Sequence, residues 1–115
     1  PIHREYMNSE KLVNIVVDAL EDIKAYEIDV INVSKITSMF EYIVIASADS
    51  SRQTKSLANN VQERVKAAGG RVYSMEGEQT GEWLLVDLGD VIVHIMLPVA
   101  REYYNLKALW SGQKN

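Results

Sequence analysis

No cysteine occurs in the 115 residues. That absence excludes disulfides, thiolate nucleophiles and thiolate-bound metals together, and it suits a reducing compartment. Histidine is nearly as scarce: His3 stands in a stretch without periodicity and His94 inside an apolar run, so no imidazole cluster is available for zinc. No apolar run approaches the roughly 20 residues that a membrane-crossing helix needs, and the first residues lack the basic-then-apolar order of a secretory signal. A cytoplasmic protein is expected. Positive charge is also short, with 12 Lys and Arg against 16 Asp and Glu and a net charge of -4. Proteins that hold nucleic acid through its phosphates need a basic surface. Bulk charge therefore disfavours that class, and an acidic domain is better steered towards a basic protein.

Hydrophobic residues make up 47% of the chain, enough for it to bury a core of its own. With no internal repeat, low-complexity segment or linker, residues 1–115 read as a single domain, in which 1–7 form a flexible or appended arm. Leu12, Val16, Ala19, Leu20 and Ile23 share one helical face, which predicts an amphipathic first helix. "IDVINVS" (28–34) alternates with period two and "YIVIASA" (42–48) is rich in β-branched residues, so two strands are expected. Ser50 and Gln53 have capping-box spacing, and Leu57, Val61 and Val65 carry a helix over about 51–68 until Gly69 and Gly70 stop it. A third strand is expected at 71–75. Residues 83–87 and 91–97 form a hairpin through Gly89, and Pro98 opens a last helix over about 99–110. The order αββαβββα points to an α/β (α+β) domain with one mixed sheet of about five strands and helices on its faces.

Asp87 and Asp90 are the obvious pair for a metal or for acid-base work. Two-metal phosphoryl transfer wants carboxylates converging on one point, as two residues apart on a strand would. These two are three apart and straddle a glycine, which fits the capping of a turn better. His94 shares a strand face with Ile92 and Met96, where a hydrogen-bonded structural histidine is more common than a base or ligand. The hydroxyls of "SADSSRQ" precede a helix N-terminus, which makes a small phosphate ligand near Ser50 conceivable. The segment has no glycine and no P-loop order, so capping explains it better.

In a continuous last helix, Val99, Tyr103, Leu106 and Trp110 lie within one arc and should face the sheet, with Arg101, Tyr104 and Ala108 outward. An outward arginine and tyrosine have the composition of an interface anchor. Trp83, at the entry of the hairpin, is costly to leave in water and reads either as core or as a second anchor.

Four segments carry a resemblance: Glu76 and Gly77, "WLLVDLGDVIVHIM" (83–96), "REYYNLKALW" (101–110) and, upstream, "YIVIASADSSRQTKSLANNV" (42–61). They resemble the Iojap family of ribosomal silencing factors over nearly the whole chain from about residue 9. The resemblance implies a sheet related in shape to nucleotidyltransferases without their metal-binding carboxylates, and no enzymatic activity, cofactor or metal. It also implies binding to the large ribosomal subunit through ribosomal protein fourteen of that subunit. Subunit joining would be blocked sterically and translation lowered when nutrients are scarce. Carried over by position, the partner surface would comprise Trp83, Leu88, Met96, Arg101 and Tyr104, with Asp87, Asp90 and His94 as polar contributors. Trp83 and Leu88 differ in strand parity, so the outward face of the hairpin stays open. Two other classes remain beside this one: a metal-dependent nucleotidyltransferase-like enzyme using Asp87 and Asp90, and a homodimer closing on its own apolar surface.

Overall fold

The computed structural model describes residues 7–111. The expected N-terminal arm, with His3, lies outside the described residues except for Met7, which packs against the core. Helix α1, Ser9–Asp22, starts where Asn8 caps it, the side-chain oxygen accepting from Lys11 N–H at 2.8 Å. The predicted face points inward, with Leu12, Val13, Val16, Ala19 and Leu20 buried. Helix α2, Ser51–Ala67, begins with the bond its spacing predicts: Ser50 Oγ accepts from Gln53 N–H at 3.1 Å. Gln53 Oε1 reaches back to Asp49 N–H at 3.2 Å, a residue before the cap. At the other end Gly69 adopts φ 89°, its N–H bonds Lys66 O, and Gly70 N–H bonds Val65 O. This paired closure satisfies carbonyls that a helix end would leave unpaired.

Five strands form one sheet in the order β1-β2-β5-β4-β3. They are β1 Tyr26–Asn32, β2 Tyr42–Ser47, β3 Ser74–Glu76, β4 Trp83–Asp87 and β5 Val91–Met96. Strands β2 and β5 pair in parallel and the other three pairs are antiparallel. The third strand is shorter and later than 71–75, although Tyr73 N–H still bonds Asp87 O at 2.8 Å. At the sheet's centre β2 and β5 are apolar on both faces because both faces are covered. Strand β4 instead alternates, with Leu84 and Val86 buried and Trp83, Leu85 and Asp87 half-buried.

The two faces have separate cores. Helices α1 and α2 cover one, burying Val44, Ala46, Leu84, Val86, Val93 and Ile95. The other holds Ile43, Ile45 and Met96 beneath the C-terminal segment, where the structure departs from expectation. The single helix over 99–110 is two: α3, Pro98–Tyr104, and α4, Leu106–Trp110, separated by Asn105 at φ 46° and ψ 54°. Asparagine is among the few residues other than glycine that enter the left-handed region at modest cost. Its turn resets the helical phase. Leu106 is buried and Trp110 packs with Phe40, but Val99 and Tyr103 are 80% and 79% exposed, not buried as one arc requires.

Candidate functional site

Arg101 is the clearest correction on α3, because it points inward where the unbroken helix would send it out. Its side chain is 13% exposed. Nη1 donates to Ser47 Oγ at 2.9 Å and to the carbonyl oxygen of Glu27, and Nη2 donates to the Asp29 carboxylate. Glu27 sits in a bulge of β1 with φ 48°, and Lys107 Nζ adds a 3.3 Å contact to Asp29. The guanidinium therefore fastens α3 to the far side of the sheet through charge-assisted hydrogen bonds.

With Arg101 turned in, α3 lays Ala100 against the second core and Tyr104 against Trp83, the two rings 4.6 Å apart and tilted by 45°. Tyr104 is half-exposed and stands edge-on to Tyr103 at 4.9 Å. Trp83 is held from three sides. Its indole Nε1 donates to His94 Nδ1 at 2.9 Å, Tyr104 covers one side, and its backbone lies against Gly77. A Cβ at Gly77 would sit 2.0 Å from the Trp83 carbonyl oxygen, and Gly77 has φ 95°, so only glycine fits.

His94 is 6% exposed, and burial pushes its pKa down from 6.5 to about 4. The ring is neutral at physiological pH. An indole N–H only donates, so Nδ1 accepts and the ring proton sits on Nε2. His94 is a structural hydrogen-bond acceptor, and it lies beside the site more than on it.

The cross-strand register resolves which hairpin face is outward. Trp83 pairs with Met96, Leu85 with His94 and Asp87 with Ile92, so these six share the face that α3 and α4 cover only in part. Helix α3 packs over β5, and α4 over β1 and β2. Trp83, Leu85, Asp87 and Ile92 remain half-buried, forming with Tyr104 a partly open surface. The other expected contact residues are placed differently. Met96 is fully buried beneath α3 and α4, and Leu88, 4% exposed, belongs to the core under α1 and α2. Neither offers side-chain surface here. Asp87 Oδ1 accepts from Gly89 N–H at 2.8 Å, while Asp90 is exposed and its carbonyl oxygen accepts from Glu41 and Tyr42 N–H at 2.8 and 3.0 Å. Asp87 thus shapes the hairpin turn, and the backbone of Asp90 ties it to the entry of β2. Among the described residues no group of three or more His, Asp or Glu could hold a metal ion, and no helix is long and apolar enough to cross a membrane.

Leu85 and Ile92 were legible as surface candidates, since they have the parity of Trp83 and His94 in the hairpin. Val99 and Tyr103 were not, because their exposure depends on the break at Asn105.

Comparison with known proteins gives one answer. The family described as "Ribosomal silencing factor during starvation" matches residues 6–115. A ribosomal silencing factor of Chromobacterium violaceum is 48% identical over 108 residues, covering 94% of this chain and 88% of its own. One from Zymomonas mobilis is 42% identical over 102 residues, covering 89% and 77%. The crystal structure of a Chromobacterium violaceum protein superposes with a TM-score of 0.90 at 48% identity, covering 95% of this chain and 91% of that one.

Proposed function

The chain belongs to the ribosomal silencing factors, a family of ribosome-binding regulators and not of enzymes, and from that premise we propose that it represses translation by occupying the large subunit. The contact is ribosomal protein fourteen of that subunit, and the bound factor excludes the small subunit by its bulk when nutrients are limiting. One observation supports a docking role above the others. An aromatic pair, Trp83 on β4 and Tyr104 at the end of α3, meets at the margin of a sheet face that the protein's own helices leave partly uncovered. Aromatic anchors on a rigid scaffold contribute the largest share of binding energy at interfaces, because they bury much area and lose little freedom.

Trp83 and Tyr104 are the proposed anchors, with Leu85 and Ile92 beside them and Asp87 at the margin. His94 contributes by holding the indole. Arg101, Leu88 and Met96 act from inside, fixing the helix and strands that present the surface. The net charge of -4 favours encounter with a basic partner.

The test is co-sedimentation of the purified chain with isolated large subunits, followed by addition of small subunits in the same gradient. Co-migration with fewer joined ribosomes is expected. Intact joining at saturating protein, with no co-migration, overturns the reading.

A further inference from the structure

Next to the Trp83–Tyr104 pair a groove of about 350 Å³ is lined by Glu82, Leu97, Val99, Ala100, Tyr103 and Tyr104. Its walls are the outer side of α3 and the segment before β4, which the bond from Leu97 N–H to Glu82 O at 2.9 Å holds together. Three of its members, Val99, Tyr103 and Tyr104, are large and exposed. An apolar, aromatic wall of this kind on a short helix is not explained by folding, since the second core already closes beneath it through Ala100 and Leu106.

Charge decides what the groove accepts. Helix α3 carries Arg101 and Glu102; Arg101 is turned inward and paired with Asp29, while Glu102 is exposed. Glu82, also exposed, stands at the groove itself. Among the residues that line the groove, Glu82 alone is charged. A carboxylate beside two aromatic rings over an aliphatic floor suits a long basic side chain, whose stem packs on apolar surface and whose head meets the carboxylate and a ring face. The same carboxylate repels a phosphate backbone. Continuity with the anchor pair through Tyr104, which belongs to both, makes the groove part of one contact surface.

We infer that this groove receives a lysine or arginine side chain of the protein partner, its stem along Leu97, Val99 and Ala100 and its cation between Glu82 and the tyrosine rings. The inference rests on the docking surface proposed above and names the chemistry that surface recognises.

Purified large subunits are the probe, with the parent chain, Trp83→Ala, Glu82→Gln, Glu82→Lys and Tyr103→Ala co-sedimented across a salt series. Glu82 and Tyr103 are exposed, so their variants should fold, as circular dichroism would verify. Tyr103→Ala and Glu82→Lys are expected to weaken binding by about tenfold or more, and Glu82→Gln by less, with a flatter salt dependence. If Trp83→Ala weakens binding while the Glu82 and Tyr103 variants match the parent, the groove is empty and the inference fails with the anchor surface intact. Loss on Tyr103→Ala alone, with Glu82→Gln and the salt dependence unchanged, means an apolar occupant and overturns the basic one. Tighter binding by Glu82→Lys means a phosphate and also overturns it. If even Trp83→Ala binds as the parent does, the anchor surface itself is wrong and the groove falls with it.

Discussion

Trp83 and His94 are joined across the β4–β5 pair by a hydrogen bond of 2.9 Å from the indole N–H to Nδ1. Each residue limits the other. Burial keeps the imidazole neutral, the indole N–H at Nδ1 leaves the ring proton on Nε2, and the imidazole fixes the plane in which Tyr104 meets the indole. A large aromatic side chain that would otherwise choose among rotamers is thus held ready for contact, which lowers the entropy lost on binding.

Replacing either anchor should therefore reduce affinity for large subunits without unfolding the chain. Trp83→Ala and Tyr104→Ala are each expected to cost about 2 kcal/mol or more, roughly thirtyfold, in a titration of labelled protein with subunits. Normal binding by both, with circular dichroism unchanged, would remove them from the interface.

The acid limb of stability should report on His94. Its pKa is about 4 in the folded chain against 6.5 for an exposed imidazole, so between those values the unfolded state binds more protons. The contribution is fully present above pH 6.5 and is lost as pH falls towards 4, up to about 3 kcal/mol in all. Protonation would also turn Nδ1 into a donor facing another donor, breaking the bond to Trp83. Urea titrations from pH 7 to pH 4 should show a steeper loss for the parent than for His94→Phe, which has no titrating ring. Parallel profiles for the two would mean that the imidazole is not buried neutral.

Met96 and Leu88 should behave as core residues. Both are sealed, Met96 under α3 and α4 and Leu88 under the opposite layer, so truncation leaves a cavity. Met96→Ala and Leu88→Ala are each expected to lower stability by about 2–5 kcal/mol in urea. At temperatures where the variants remain folded, their affinity for large subunits should stay within about threefold of the parent, a change of under 1 kcal/mol. Lost affinity in a variant of normal stability would put that side chain on the interface.

These corrections show which physics a linear pattern carries. Ser50 with Gln53, Gly69 with Gly70, and the strand at 83–87 that turns through Gly89 were readable because each depends on residues a few positions apart, and all three appear as expected. Arg101 could not be read from its neighbours. Its partners Glu27, Asp29 and Ser47 are distant in sequence, and the phase that brings it to them depends on one backbone torsion at Asn105. Leu88 was placed on the partner surface by the resemblance alone; its parity, opposite to that of Trp83, agrees with its place in the core under α1 and α2, just past the end of β4.

Asn105 is where the two halves of the C-terminal segment are set against each other, and its substitution separates backbone conformation from side-chain chemistry. At φ 46° a residue with an ordinary Cβ pays on the order of 1 kcal/mol, which asparagine partly escapes and glycine avoids altogether. No side-chain hydrogen bond caps α4, so the amide itself contributes little there. Asn105→Ala should accordingly lower the melting temperature by several degrees, the shift expected for about 1 kcal/mol in a chain of this size, and Asn105→Gly should match or exceed the parent. Because Val99 and Tyr103 are exposed only while the break holds, a destabilised break should also weaken binding to large subunits, and Asn105→Gly should keep it. If Asn105→Ala melts with the parent and binds as well, the helix can run through this position without cost, and the inward turn of Arg101 must be explained by its ion pair alone.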